Sequence, residues 1–166
     1  VEMSDRFDQK QTVAYGYAHL FATDRLTLTV GASADSVKSY ALSEDRLNPK
    51  LGVIWEAGDR TTVRASFFGT LQGALSSAKQ NIQPRLEPFQ VAGFTQFFFD
   101  REGDHADFRG VAIEHRISDD IFLGSEVSRR NLDAVGPGAT DSVIRVREDL
   151  ARAYAYWKLS AGVGLS

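Results

Sequence analysis

Residues 47–71, LNPKLGVIWEAGDRTTVRASFFGTL, alternate apolar and polar side chains with a period of two on both sides of a tight turn. Leu51, Val53 and Trp55 interleave with Gly52, Ile54 and Glu56, and Val63, Ala65 and Phe67 interleave with Thr62, Arg64 and Ser66, with Gly58-Asp59 between. Successive side chains of a strand point to opposite faces, so this pattern predicts an antiparallel hairpin with one apolar and one polar face. A chain built on such hairpins must cover its apolar face with protein or with lipid.

The same pattern recurs along the chain. Strands are expected over 12–22 (Val13, Tyr15, Tyr17, His19, Phe21 against Ala14, Gly16, Ala18, Leu20), over 25–34, over 91–99, over 108–117, over 121–130 and from Ala151 to Leu159. Short turns fall at Thr23-Asp24, Gly58-Asp59 and Ser118-Asp120, and loops at 35–49, 72–90 and 131–141. The result is an all-β, antiparallel up-and-down meander of about 8–10 long strands in a single domain over 1–166, with no internal boundary. Strands of roughly ten residues have the length that crosses a bilayer when tilted, whereas strands of globular proteins average about five or six. This favours a transmembrane β-barrel, or part of one, over the alternative of a soluble antiparallel β-sandwich or open-barrel binding module. One inconsistency follows: with a single spanning strand at 91–99, the Ser118-Asp120 turn falls at the opposite end from the other two short turns.

Composition narrows the function. There is no cysteine among the 166 residues, which excludes disulfides and thiolate chemistry and suits a periplasm or cell surface. A net charge of −3 gives no electrostatic reason to expect a nucleic-acid partner. No apolar run is long enough for a spanning helix, a test that leaves β-barrels untouched. The chain opens on Val1 with no signal peptide, as a processed chain or an excised piece would.

No motif of a nucleotide-binding loop, a serine hydrolase or a zinc protease is present, so no enzyme activity, catalytic residue, cofactor or metal site is expected. His105 beside Asp104 and Asp107 reads as a solvated turn rather than a metal site. In the barrel reading, Glu56, Arg64, Ser66 and Glu126 line the lumen. Trp55 and Trp157 stand at the membrane interface, in a girdle to which Phe21, Phe97, Phe98, Phe99, Phe122, Tyr154 and Tyr156 also contribute. Arg129-Arg130, Arg145, Arg147 and Arg152 form a candidate basic patch for lipopolysaccharide phosphates or an anionic solute.

The segment NPKLGVIWEAGDRTTVRASF also resembles the barrel of TonB-dependent outer-membrane receptors, through Pro49, Lys50, Gly52, Trp55, Val63, Arg64, Ala65, Ser66 and Phe67. In that family a Pro-Lys-x-Gly strand ending in Trp leads through a short periplasmic turn into an outgoing Arg-Ala-Ser-aromatic strand. Leu86, Glu87, Pro88 and Gly93 resemble a second family stretch more loosely. The resemblance covers the barrel portion only, with neither a plug domain nor a TonB box. Such barrels have about 22 strands, so it implies a fragment of a larger wall or a small barrel with the same strand pattern. It further implies a Gram-negative outer-membrane location and a role in solute uptake or in anchoring a surface or export assembly. Expected partners are the lipid bilayer, lipopolysaccharide, and remaining barrel strands or a plug domain.

Overall fold

The computed structural model describes residues 10–39, 42–73, 87–98, 100–135, 143–160 and 163–165. The fold is an antiparallel all-β meander. Its strands are β1 (Lys10–Thr23), β2 (Leu26–Lys38), β3 (Ser43–Gly58), β4 (Thr61–Leu71), β5 (Gln90–Val91), β6 (Phe94–Thr95), β7 (His105–Arg116), β8 (Ile121–Val135), β9 (Val143–Ser160) and β10 (Val163–Leu165). One sheet runs in the order β1-β2-β3-β4-β7-β8-β9-β10, with β1 and β10 at its two ends, and β5-β6 form a separate two-stranded hairpin.

Three expectations are corrected. The stretch 91–99 is not a spanning strand. Ala92 and Gly93 both take positive φ (48° and 83°), so the chain reverses between Val91 and Phe94 instead of continuing extended. β4 therefore pairs directly with β7, and the chain bend at 117–120 falls at the same end of the sheet as the turns after β1 and β3. This removes the inconsistency in turn placement.

Most of the loop expected at 35–49 is strand: β2 runs to Lys38 and β3 begins at Ser43. Asp35 and Asn48 belong to β2 and β3, and their polarity marks the face they share, not a turn. Likewise β8 extends to Val135 and β9 begins at Val143 rather than Ala151. Cross-strand pairing of Arg129 with Asp149 and of Arg130 with Glu148 draws residues with helix propensity into the ladder. Residues 74–86 of the loop expected at 72–90 lie outside the described residues, as does Phe99.

Seven of the strands run 11 to 18 residues, two to three times the ordinary globular length of about five or six. The packed cluster lies on one face of the sheet, where the 87–98 segment, here called the strap, is laid across it. Phe68, Phe108 and Ala112 of the sheet meet Val91 and Phe94 of the strap, with Tyr17 and Phe98 packed alongside. The Phe68 and Phe108 rings stack at 4.6 Å between centroids, and Phe94 tilts against Phe108 at 5.5 Å.

Candidate functional site

The strap covers the part of the polar face around Phe68 and Phe108. Its site is made by glycines on the strands beneath: a Cβ on Gly52 would come within 2.9 Å of the Ala92 Cβ, and one on Gly110 within 2.7 Å of the Phe94 ring. The strap is fastened at its start, its turn and its far end. At its start Glu87 forms an ion pair with Lys50 Nζ at 3.0 Å and accepts a hydrogen bond from the Tyr17 hydroxyl. Lys50 is 1% exposed and Glu87 13%. Lys50 Nζ also donates to the Gly69 carbonyl at 2.8 Å and to Gln96 Oε1 at 2.6 Å, which uses all three ammonium protons. At the turn, Arg64 donates to the Ala92 carbonyl at 3.3 Å and to Glu114 at 3.0 Å. At the far end Arg130 pairs with Asp100 and with Glu148, and its guanidinium lies 4.2 Å from the Phe98 ring centroid.

Around these fastenings the polar face is internally paired. Asp35 accepts from the Ser33 hydroxyl at 2.8 Å and from the Asn48 amide at 2.6 Å. Glu126 is buried and pairs with Arg152 at 2.8 Å, and the Tyr154 hydroxyl donates to Glu114 at 2.7 Å. Burial of a charge without a partner costs several kcal/mol, so such pairing is what permits charged residues at these depths.

Of the four residues expected to share the polar face, Arg64, Ser66 and Glu126 stand there in the covered region. Glu56 lies at the end of β3 beside the turn, and is exposed. Trp55 and Trp157 are both on the opposite face, towards the short-turn end, at 49% and 51% exposure. The wider set of girdle aromatics is not one group: Phe97 and Phe98 belong to the strap, and Tyr154 faces Glu114 on the covered side. The basic patch also divides, with Arg130 and Arg152 on the covered face and Arg129, Arg145 and Arg147 on the other. Lys50, Tyr17, Asp35, Asn48 and Gln96 escaped the sequence reading as site residues. Strand parity was the available signal for Lys50 and Asn48, which fall in step with Gly52 and Ile54.

The face away from the strap is apolar and uncovered. Val30, Leu51, Val53, Phe67, Val111 and Val127 are exposed there. Register fixes how this apolar surface lies across the sheet. Ala18, Val30, Leu51, Phe67, Arg109, Arg129 and Asp149 are successive cross-strand partners from β1 to β9. In β1 to β3 that row runs through the middle of the apolar residues, as Leu47, Pro49, Leu51, Val53 and Trp55 illustrate. In β9 the continuous run of apolar residues on this face lies below the row, from Ala151 to Leu159 with Ala155 at its centre, while Val143 stands apart from it beyond Arg145, Arg147 and Asp149. From Asp149 to Ala155 is six residues, about 20 Å of strand, and from β1 to β9 is six strand spacings, about 29 Å. The apolar band thus crosses the sheet obliquely, at about 35° to the row of hydrogen-bonded partners.

Among the described residues no group of three or more His, Asp or Glu is arranged to hold a metal ion. His19 meets Thr29, His115 meets Thr61, and His105 meets Asp133 at 3.0 Å. Among the described residues no helix is long and apolar enough to cross a membrane, which says nothing of a β-barrel. In comparison with known proteins, no family model, curated protein or solved structure matches the chain.

Proposed function

We propose that this chain forms part of the wall of a bacterial outer-membrane β-barrel of transporter or receptor type, with the strap lying on its inner side. The observation that carries the reading is the oblique apolar band on the uncovered face. Strands of transmembrane barrels tilt by about 35–45°, so a bilayer of constant depth meets each successive strand further along its length. A band at about 35° is what that geometry requires. A soluble sheet has no reason to slide its apolar residues along neighbouring strands in this way while leaving them uncovered, because it gains stability only by burying them.

The inner side supports the same reading. Lys50, Arg64, Glu126 and Arg130 there are paired, and the strap narrows whatever space the wall encloses. Solute passage or anchoring of a surface assembly is the role such a wall serves, and the likeness of residues 49–67 to TonB-dependent receptor strands belongs with the first of these. The test is folding of the purified chain with and without lipid. The β-structure is expected to form in detergent or phosphatidylcholine vesicles and not in plain buffer. Fluorescence of Trp55 and Trp157, the chain's two tryptophans, is expected to be quenched by brominated lipid. A chain that stays monomeric and folded in plain buffer would sink the proposal.

A further inference from the structure

The uncovered face carries a hollow with an unusual border. A twisted sheet is saddle-shaped, the form that gives closed barrels their waist, and here a shallow trough of about 940 Å³ lies across the middle of the apolar face. Its floor is Val30, Leu51, Val53, Ala65, Phe67 and Val127. Its border on the β7–β9 side is charged: Arg109, Arg129 and Asp149.

Charges beyond this border are unequally matched. The three acids on this side of β7–β9 each hold a cation: Asp149 pairs with Arg129, Asp107 with Arg46 at 2.7 Å, and Asp133 with Arg145 at 3.7 Å and His105 at 3.0 Å. Arg109 and Arg147 have no ion-pair partner among the described residues, and both are exposed. Arg109 is also the direct cross-strand partner of Arg129. Like charges directly opposite on one face are destabilising; Asp149 holds Arg129 through two hydrogen bonds and attracts Arg109 and Arg147 through space, so one carboxylate serves three arginines and a further anion would lower the remaining cost. Arg147 stands on the same face of β9, two residues from Asp149.

We infer that this border and trough bind a phosphate-bearing anionic lipid. Its headgroup phosphate sits against Arg109, Arg129 and Arg147, and its acyl chains lie in the trough. The level fits, because these arginines stand where the oblique apolar band ends on β7 to β9, the depth at which lipid headgroups begin. Arginine suits the task because its planar fork donates two hydrogen bonds to one phosphate. The inference rests on the lipid-facing reading of this face.

Spin-labelled lipids test both and separate them. The full chain is reconstituted in phosphatidylcholine bilayers carrying spin-labelled phosphatidylcholine or spin-labelled phosphatidic acid, and the motionally restricted fraction of each is measured. Both lipids should show a restricted component. Phosphatidic acid should be favoured on the order of fivefold for each unpaired arginine engaged, since one arginine near the surface contributes about that factor. The double variant Arg109→Gln/Arg147→Gln should bring the preference close to parity while the restricted phosphatidylcholine remains. Arg25→Gln, at the opposite end of the sheet, should leave the preference as it was. Equal restriction of the two lipids by the parent chain overturns the anionic site alone, as does a preference that survives the double variant. Absence of any restricted lipid overturns the lipid-facing reading and the site with it.

Discussion

The two faces of this sheet are made by the same strands and differ by a single residue step, yet they are finished in opposite ways. One is largely polar and partly covered by the chain's own strap, which is fastened by ion pairs and hydrogen bonds. The other is apolar and has nothing laid on it. Half-buried antiparallel sheets ordinarily do the reverse, packing the apolar face and wetting the polar one. On the strap side paired charges surround a small aromatic cluster; on the proposed reading, the apolar side is left for lipid to satisfy.

Substitutions on the two faces should therefore fail in different ways. The largest loss is expected from Lys50→Ala. It leaves the nearly buried Glu87 carboxylate without its cation, and breaking a buried pair by removing one partner costs about 3–5 kcal/mol. Urea titration of the chain in lipid vesicles would register this, and a change under 1 kcal/mol would mean that the strap does not rest on Lys50. On the lipid-facing reading Val53→Arg comes next, at about 2–4 kcal/mol near the bilayer midplane. Its signature is dependence on surroundings, since the penalty should shrink when the acyl chains are thinned. An equal penalty in every lipid would assign Val53 to protein packing and erase the contrast between the faces.

A third substitution, Gly52→Val, tests the seat of the strap without altering charge. The added side chain meets Ala92 and Val91, and overpacking of this kind costs about 1–3 kcal/mol. Hydrogen exchange in 90–95 should quicken while the β3–β4 ladder stays protected; uniform loss of protection would show that strap and sheet unfold as one unit. The smallest effect belongs to Arg25→Ala. Its pair with Asp59, at 2.7 Å, sits in solvent at the short-turn end and is worth at most about 1 kcal/mol. A larger loss would mean that this end is not freely hydrated.

Much of the fold was legible because alternation is a strong signal where one face is apolar throughout. Leu51, Val53 and Trp55 against Gly52, Ile54 and Glu56 predict β3 directly, and the two polar turns after β1 and β3 stand where expected. The signal failed where polar residues occur inside strands. Asp35 and Asn48 read as loop because they are hydrophilic, although each is a covered side chain on the polar face. It failed again at Val91–Phe94, where four apolar residues resemble a strand and the turn is made by Ala92-Gly93 without a polar residue to mark it. The strap's fastenings were the least legible part. Lys50 and Glu87 are 37 positions apart in the chain, and nothing in the local pattern of either announces the other.

The strap also bears on circumference. An eight-stranded barrel has an interior just wide enough for the side chains of its own wall. Here that side must also accommodate the backbone of residues 87–98 and the rings of Phe94 and Phe98. On the proposed reading, a wall that closes round such contents is broader than eight strands. β1 and β10 then stand as seams, where additional strands continue the same one-residue-per-strand stagger until the ring is complete.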